Sequence, residues 1–332
     1  MESHLSTYVQ NENDTLIWDV EKPALAIPEG FIFSDKYYRN ITAQLIISVI
    51  SVFANALVIV VMIKNLKKDK TLHKYTKLSL AIVDLLTALV TMANASLLLY
   101  AKEDMNDTVI SMWVYLTIFQ MHFMTTSFCH LSLMSIRRYL AITSPIEYCL
   151  NSSKKRYFVF LFLIYIVGLA PVGVLIHARL QFGSDDKLMD MYFLRFSEWF
   201  ILLASYVVPY IITVLSTLAM GVQYFIKKKK VENDIAKKNS IVVDRRRQER
   251  QKKMIVMISL IVAGYTFTCL PFIIQLSYFT IANMRYSPFE IGLLIPGTIM
   301  VANGLMDVLV YSLFDDKFCY QVRSLFYFSF YT

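Results

Sequence analysis

No lysine, arginine or glutamate falls within seven long stretches of this 332-residue chain: 43–63, 78–101, 111–136, 157–178, 199–226, 254–281 and 291–314. The only formal charges inside them are two aspartates, Asp84 and Asp307. Each stretch is long enough to cross a bilayer, which takes about 20 predominantly apolar residues. A soluble helical bundle needs a polar face on most of its helices, so these runs exclude it. Charged residues are 17% of the chain, against about a quarter in a soluble domain. Mean hydropathy is +0.50.

Other scarcities narrow the function. There are four cysteines, Cys129, Cys149, Cys269 and Cys319. All lie in spans or on the side assigned below to the cytoplasm, so none is placed for an extracellular disulfide. Their spacing carries no metal motif. His122, His130 and His177 have no ligand-like spacing with Cys, Asp or Glu and read as helix-packing residues. No Ser-His-Asp set or glycine-rich phosphate loop is present, so no intrinsic enzyme is expected. Glycine and proline, nine and eight in all, rarely interrupt the spans, and no internal repeat is visible. Both facts count against a transporter built from inverted repeats and broken helices. The polar start, MESHLSTYVQ, lacks a basic n-region followed by an apolar core. The first span is therefore expected to act as its own insertion signal.

What is present sets the orientation. With the N-terminus outside, 25 of the 33 lysines and arginines fall on inner loops and the tail, and 8 fall outside. Acidic residues run the other way, 8 inside and 15 outside. Basic residues stay cytoplasmic, so this arrangement is the favoured one. The runs KKKK (227–230) and RRR (245–247) abut span ends and read as anchors on anionic lipid, not as a nucleic-acid site. Sequons at Asn13, Asn40 and Asn106 fall outside and are glycosylation candidates, while matches at Asn94, in a span, and Asn151, inside, read as chance. The expected organisation is an extracellular segment over 1–42, a membrane domain over 43–314 and a short cytoplasmic tail over 315–332. Phe318, Val322, Leu325 and Phe326 recur at helical spacing, which suggests a short amphipathic helix on the membrane surface. Cys319 beside it is a palmitoylation candidate.

Several fragments occur in order on successive spans: Asn55 in FANALVIV, Asp84 in LSLAIVDLL, IRRYLAITSPIEY at the end of the third, Pro209 in the fifth, CLP at 269–271 and NGLMDVLVY in the seventh. Together they resemble the rhodopsin-like (class A) G-protein-coupled receptors over about residues 40–320. The resemblance implies an all-α membrane protein, a seven-transmembrane helix bundle with its N-terminus outside, in the plasma membrane. It implies heterotrimeric G protein as partner, met by Arg138, Tyr139, Pro145 and Ile146. It implies an activation switch at Cys269, Pro271 and Tyr311. The ligand pocket it implies is lined by Gln120, Met121, Met124, Ser205, Phe272, Ile273, Leu276 and Leu293, with Gly297 and Val301.

An ionisable side chain in mid-membrane is a functional candidate in its own right. The family pattern places Ser127 and Asn303 beside Asp84, with Asn55 and Asp307 in the same network. Two carboxylates with hydroxyl and amide oxygens suit a hard monovalent cation such as sodium. The departures are also informative. Arg137 stands where the family has an acid beside Arg138, and Gln251 stands where a second acid is common, with Glu249 nearby. A weakened resting lock and raised basal activity are expected. Cys269 replaces a tryptophan, Val308 a proline, and Trp113 the cysteine of an outer disulfide. Gln120 stands where an amine receptor carries an aspartate, and Val301 where an opsin carries a lysine. The extracellular ligand is expected to be an apolar small molecule, a lipid, or a peptide suited to the acidic outer loop (Asp185, Asp186, Asp190, Glu198). The competing readings are a seven-span scaffold that does not couple and an ion transporter using Asp84 and Asp307.

Overall fold

The computed structural model describes residues 35–68, 72–101, 107–144, 158–169, 173, 206–235, 241–281, 298–314, 318–320 and 322. Among them every regular element is a helix: α1 (Asp35–Lys68), α2 (Leu72–Tyr100), α3 (Asp107–Thr143), α4 (Phe158–Leu169), α5 (Val208–Ile235), α6 (Ile241–Ile281) and α7 (Asn303–Phe314). Among the described residues, four apolar segments are long enough to cross a membrane: Tyr37–Lys64, Lys74–Tyr100, Val208–Ile226 and Ile255–Ile274. The helices outrun the apolar stretches that mark them. α1 starts at Asp35, not near residue 43, and Thr42 Oγ1 already donates to the Tyr38 carbonyl at 2.8 Å. α6 starts at Ile241 and runs through the basic segment before entering its apolar part. Hydropathy marks what lies in lipid, whereas Lys, Arg, Glu and Gln continue a helix well beyond it.

Consecutive helices pack side by side, α1 on α2, α2 on α3, α5 on α6 and α6 on α7. α7 returns to touch α1 and α2, and α3 also packs on α5. Gln44 on α1 donates to Thr298 Oγ1 just ahead of α7, at 3.1 Å. α3 is the central post: Met124, Thr125, Thr126, Ser127 and Phe128 are buried without a break, so it is enclosed on every side at that depth. α4 approaches it through a glycine. A Cβ on Gly168 would overlap Thr126 Oγ1, so the close contact requires the missing side chain.

The distribution of polarity is inverted relative to a soluble protein. Phe53, Phe267 and Leu313 point outward at 72%, 77% and 73% exposure, while Asn55, Lys77, Asp84, Arg138 and Asp307 are buried. In water such a surface aggregates, whereas in hydrocarbon it is the solvent-matched one. The buried hydroxyls are satisfied mostly within their own helices. Thr91, Thr126 and Thr213 each donate to the carbonyl four residues earlier, at 2.8 Å. The exceptions, which bond across helices, mark the site.

Candidate functional site

The strongest of these cross-helix bonds lies at mid-depth. Ser127 Oγ on α3 donates to Asp84 Oδ1 on α2 at 2.6 Å, with both residues buried. A short bond to a carboxylate is a strong one. Asn303 on α7 accepts at its Oδ1 from Thr268 Oγ1 on α6 at 3.2 Å. Asn55 on α1 turns its amide nitrogen to the Ser51 carbonyl and hydroxyl, at 3.0 and 3.2 Å. Gly304 places α7 against this layer, where a Cβ would make van der Waals contact with Asp84 Cβ at 3.4 Å.

These residues border a cavity of about 20 Å³. Its polar wall is Ser51, Asp84, Thr87, Ser127 and Asn303, and its apolar wall includes Met124, Phe128, Met300 and Val301. That volume takes one water-sized guest. One carboxylate, three hydroxyls and one amide form an oxygen-rich donor set that fits a small hard cation or a water. Asp84, Ser127 and Asn303 therefore meet as the resemblance implies. Asn55 presents nitrogen, not oxygen, to its neighbours. Asp307 does not line the cavity. It sits one helical turn beyond Asn303 on α7, buried, with its Oδ2 making no hydrogen bond.

Outward of the cavity, Gln120 and Met121 are half-buried and Met124 is buried on α3, while Phe272 is half-buried and Ile273 buried on α6. Asn94 Nδ2 on α2 bridges Thr117 Oγ1 and Gln120 Oε1 at 3.2 and 3.3 Å. Ser205 and Leu293, and the side chain of Leu276, lie outside the described residues, so this pocket is described on the α3 and α6 sides alone.

Between pocket and cytoplasm, aromatic rings fill the core. Phe128 meets Tyr265 at 4.8 Å and Tyr206 at 5.6 Å, Tyr206 meets Phe272 at 5.8 Å, and Tyr210 meets Tyr265 at 5.6 Å. Cys269 is fully buried in the same cluster, one of the small side chains among these rings. Pro271 faces outward within α6, where it removes one backbone donor. Ser132 Oγ on α3 donates to the Pro209 carbonyl at 2.8 Å and so joins α3 to α5.

Toward the C-terminal end of α3 Arg138 is buried, and half-buried Tyr139 packs with Ile142, Met220, Ile255 and Val262. Pro145 and Ile146, the side chains of Tyr311 and Gln251, and the sequons Asn13 and Asn106 lie outside the described residues. Asn40 is half-buried within α1. Cys319 is half-buried, and its thiol lies 2.6 Å from the Ser312 carbonyl. Residues 318–320 are helical, with Phe318 buried and Tyr320 exposed.

Sequence reasoning overlooked Lys77, Asn94 and the environment of His130. The first two were legible. Lys77, Asp84, Thr87, Thr91 and Asn94 recur at helical spacing and form one polar stripe on α2. His130 is buried, with Nδ1 2.8 Å from the Thr126 carbonyl and Nε2 2.9 Å from Ser79 Oγ, which also meets Tyr165 OH at 3.1 Å. A carbonyl only accepts, so Nδ1 carries the proton. The ring ties α2, α3 and α4, which is a packing role.

The family model of the rhodopsin-family seven-transmembrane receptor matches residues 54–311. Among curated proteins the chain is 32% identical over 117 residues to octopamine receptor beta-1R of Drosophila melanogaster, covering 35% of this chain and 22% of that protein. It is 33% identical over 118 residues to octopamine receptor beta-2R of Chilo suppressalis, 35% of this chain and 29% of that one. It is 35% identical over 133 residues to octopamine receptor beta-3R of Drosophila melanogaster, 40% of this chain and 10% of that one. The matched region thus spans less than a third of each of these relatives.

Proposed function

Because the chain belongs to the rhodopsin family of seven-transmembrane receptors, we propose that it carries an extracellular ligand's signal to a cytoplasmic heterotrimeric G protein. It is a multi-pass plasma-membrane receptor and not an enzyme. The seven-span topology, with the N-terminus outside, follows the distribution of lysine and arginine. An N-terminal epitope tag reached by antibody on intact cells is the expected result.

The observation that carries the coupling reading is Arg138. It is buried in the last two turns of α3, inside a match that extends to residue 311. Its guanidinium supplies a planar fork of donors that suits backbone carbonyls at a helix C-terminus. Tyr139, Pro145 and Ile146 complete the proposed docking face. The test is agonist-free G-protein activation in cells expressing wild type and Arg138→Ala at equal surface levels. A basal signal lost in the variant supports coupling. A basal signal unchanged in the variant refutes the role of Arg138. Arg137, a like charge where the family pattern has an acid, weakens the local lock, so Arg137→Asp is expected to lower that basal signal.

The mid-membrane cavity is proposed as a sodium or water site held by Asp84, Ser127, Asn303 and Ser51. A bound monovalent cation would supply charge compensation for Asp84 in the low-dielectric core. The ligand is proposed to be uncharged and largely apolar. Octopamine, the ligand in the relatives' names, carries an ammonium, and Gln120 presents a neutral amide already engaged by Asn94. A buried ammonium without a counter-charge is costly. No response to octopamine is therefore expected. A dose-dependent response abolished by Gln120→Leu would overturn this.

A further inference from the structure

The pocket that the family pattern implies does not include Asn94, a buried residue of α2 that bonds to the carboxamide of its α3 wall, Gln120. The direction of that bond is set at the backbone. Thr117 Oγ1 donates to the Trp113 carbonyl at 2.9 Å. A hydroxyl has one proton, so Thr117 meets Asn94 Nδ2, 3.2 Å away, with a lone pair. Thr117 and Gln120 are three residues apart and share a face of α3. Asn94 Nδ2 gives its second proton to Gln120 Oε1 at 3.3 Å. With its oxygen held by Asn94, the Gln120 amide offers its other end, Nε2, to whatever lies beside it.

The arrangement leaves Asn94 incompletely bonded. Its Oδ1 is buried and makes no hydrogen bond among the described residues, which costs stability. Gln120 is half-buried, and its Nε2 makes no hydrogen bond among the described residues. Gln120 stands four residues outward of Met124, and Asn94 seven outward of Thr87, both of which line the mid-membrane cavity. At 1.5 Å per residue the pair lies about 6 to 10 Å beyond that cavity. Met121 and Phe272, at the same outer level, are half-buried and apolar.

We propose that Asn94 is a positioning residue that turns the Gln120 carboxamide so that Nε2 faces the ligand. The pocket then selects an uncharged, largely apolar ligand carrying a hydrogen-bond acceptor, such as a ketone, ester or amide carbonyl. A ligand whose one polar group is a donor meets another donor there, and both go unpaired. This rests on reading the space outward of the cavity as the ligand pocket.

The test compares dissociation constants of two neutral bicyclic probes of similar size on the purified full-length protein. Indanone has a carbonyl that only accepts, and indole has an N–H that only donates. One neutral hydrogen bond made by one probe and denied to the other corresponds to about a tenfold preference for indanone in wild type. Gln120→Leu is expected to bring the two affinities together. Asn94→Asp accepts from Nε2 and so turns the amide over, and indole is then expected to bind the tighter. A residue that only braces the helices would weaken both probes alike and would not exchange their order. Equal binding of the two probes by wild type, binding of neither, or a preference for indole refutes the proposal. A preference for indanone that is lost in Gln120→Leu but persists in Asn94→Asp keeps the pocket and refutes the role of Asn94. Affinities identical in all three proteins place the probes elsewhere and remove the pocket reading as well. Should Asn94→Asp not fold, Asn94→Leu, which frees the amide to turn, is expected to lower the preference to near parity. An unchanged preference in that variant refutes the role of Asn94.

Discussion

Ser127→Ala isolates the bond at the centre of the polar layer. The hydroxyl lies 2.6 Å from Asp84 Oδ1, and neither residue reaches solvent. Hydrogen bonds to a charged group contribute about 1.5–3 kcal/mol. The adjoining cavity of about 20 Å³ lets a water take over part of the donation, which places the cost near the lower end, about 1.5–2 kcal/mol. Unfolding of a membrane protein in detergent is commonly irreversible, so inactivation half-life at fixed temperature is the appropriate readout. With tenfold in rate for each ~1.4 kcal/mol, the half-life falls by roughly 10- to 30-fold. In an Asp84→Asn background the acceptor is neutral, and the same substitution is expected to cost about 1 kcal/mol, roughly fivefold. Equal half-lives for wild type and Ser127→Ala, or the same factor in both backgrounds, would refute a bond to an ionised Asp84.

Two glycines separate hard from soft contacts. Gly168→Ala forces a methyl onto Thr126 Oγ1, which is held by its bond to the His122 carbonyl, and a cost of about 1–3 kcal/mol should appear as reduced surface expression. Gly264→Ala comes too close only to the terminal methyl of Met306, at 2.9 Å, a flexible end, with Met306 Cβ and Cγ at contact distances of 3.4 and 3.5 Å, and surface expression is expected to stay near wild type. Phe128→Ala removes a buried ring that contacts Tyr206 and Tyr265, for a loss of about 3–5 kcal/mol measurable in the same thermal assay. Ser79→Ala deprives His130 and Tyr165 of their shared hydroxyl and is expected to lower stability by about 1 kcal/mol, with a smaller effect once His130 is already Ala.

Sequence alone determined the solvent, the element type and the family. Runs of more than 20 residues with at most one charge require helices in lipid, because an unpaired peptide group is intolerable there. Asp84 and Asp307 announced themselves as the only charges in those runs. Their relation was another matter. Both were assigned to a single cation, yet four residues of helix put Asp307 a turn away from the cavity that Asp84 lines. Hydropathy left Lys77 outside the second span, and only the tertiary packing around α2 buries it. Cys269 likewise looked like a lost aromatic until Phe128, Tyr206 and Tyr265, from three helices, were seen to share its cluster. Residue type and spacing specify what each helix presents to lipid, since that depends on one segment at a time. Which buried groups meet depends on the rotation and depth of neighbouring helices, and those are set jointly by close contacts such as Gly168 on Thr126 and Gly304 on Asp84.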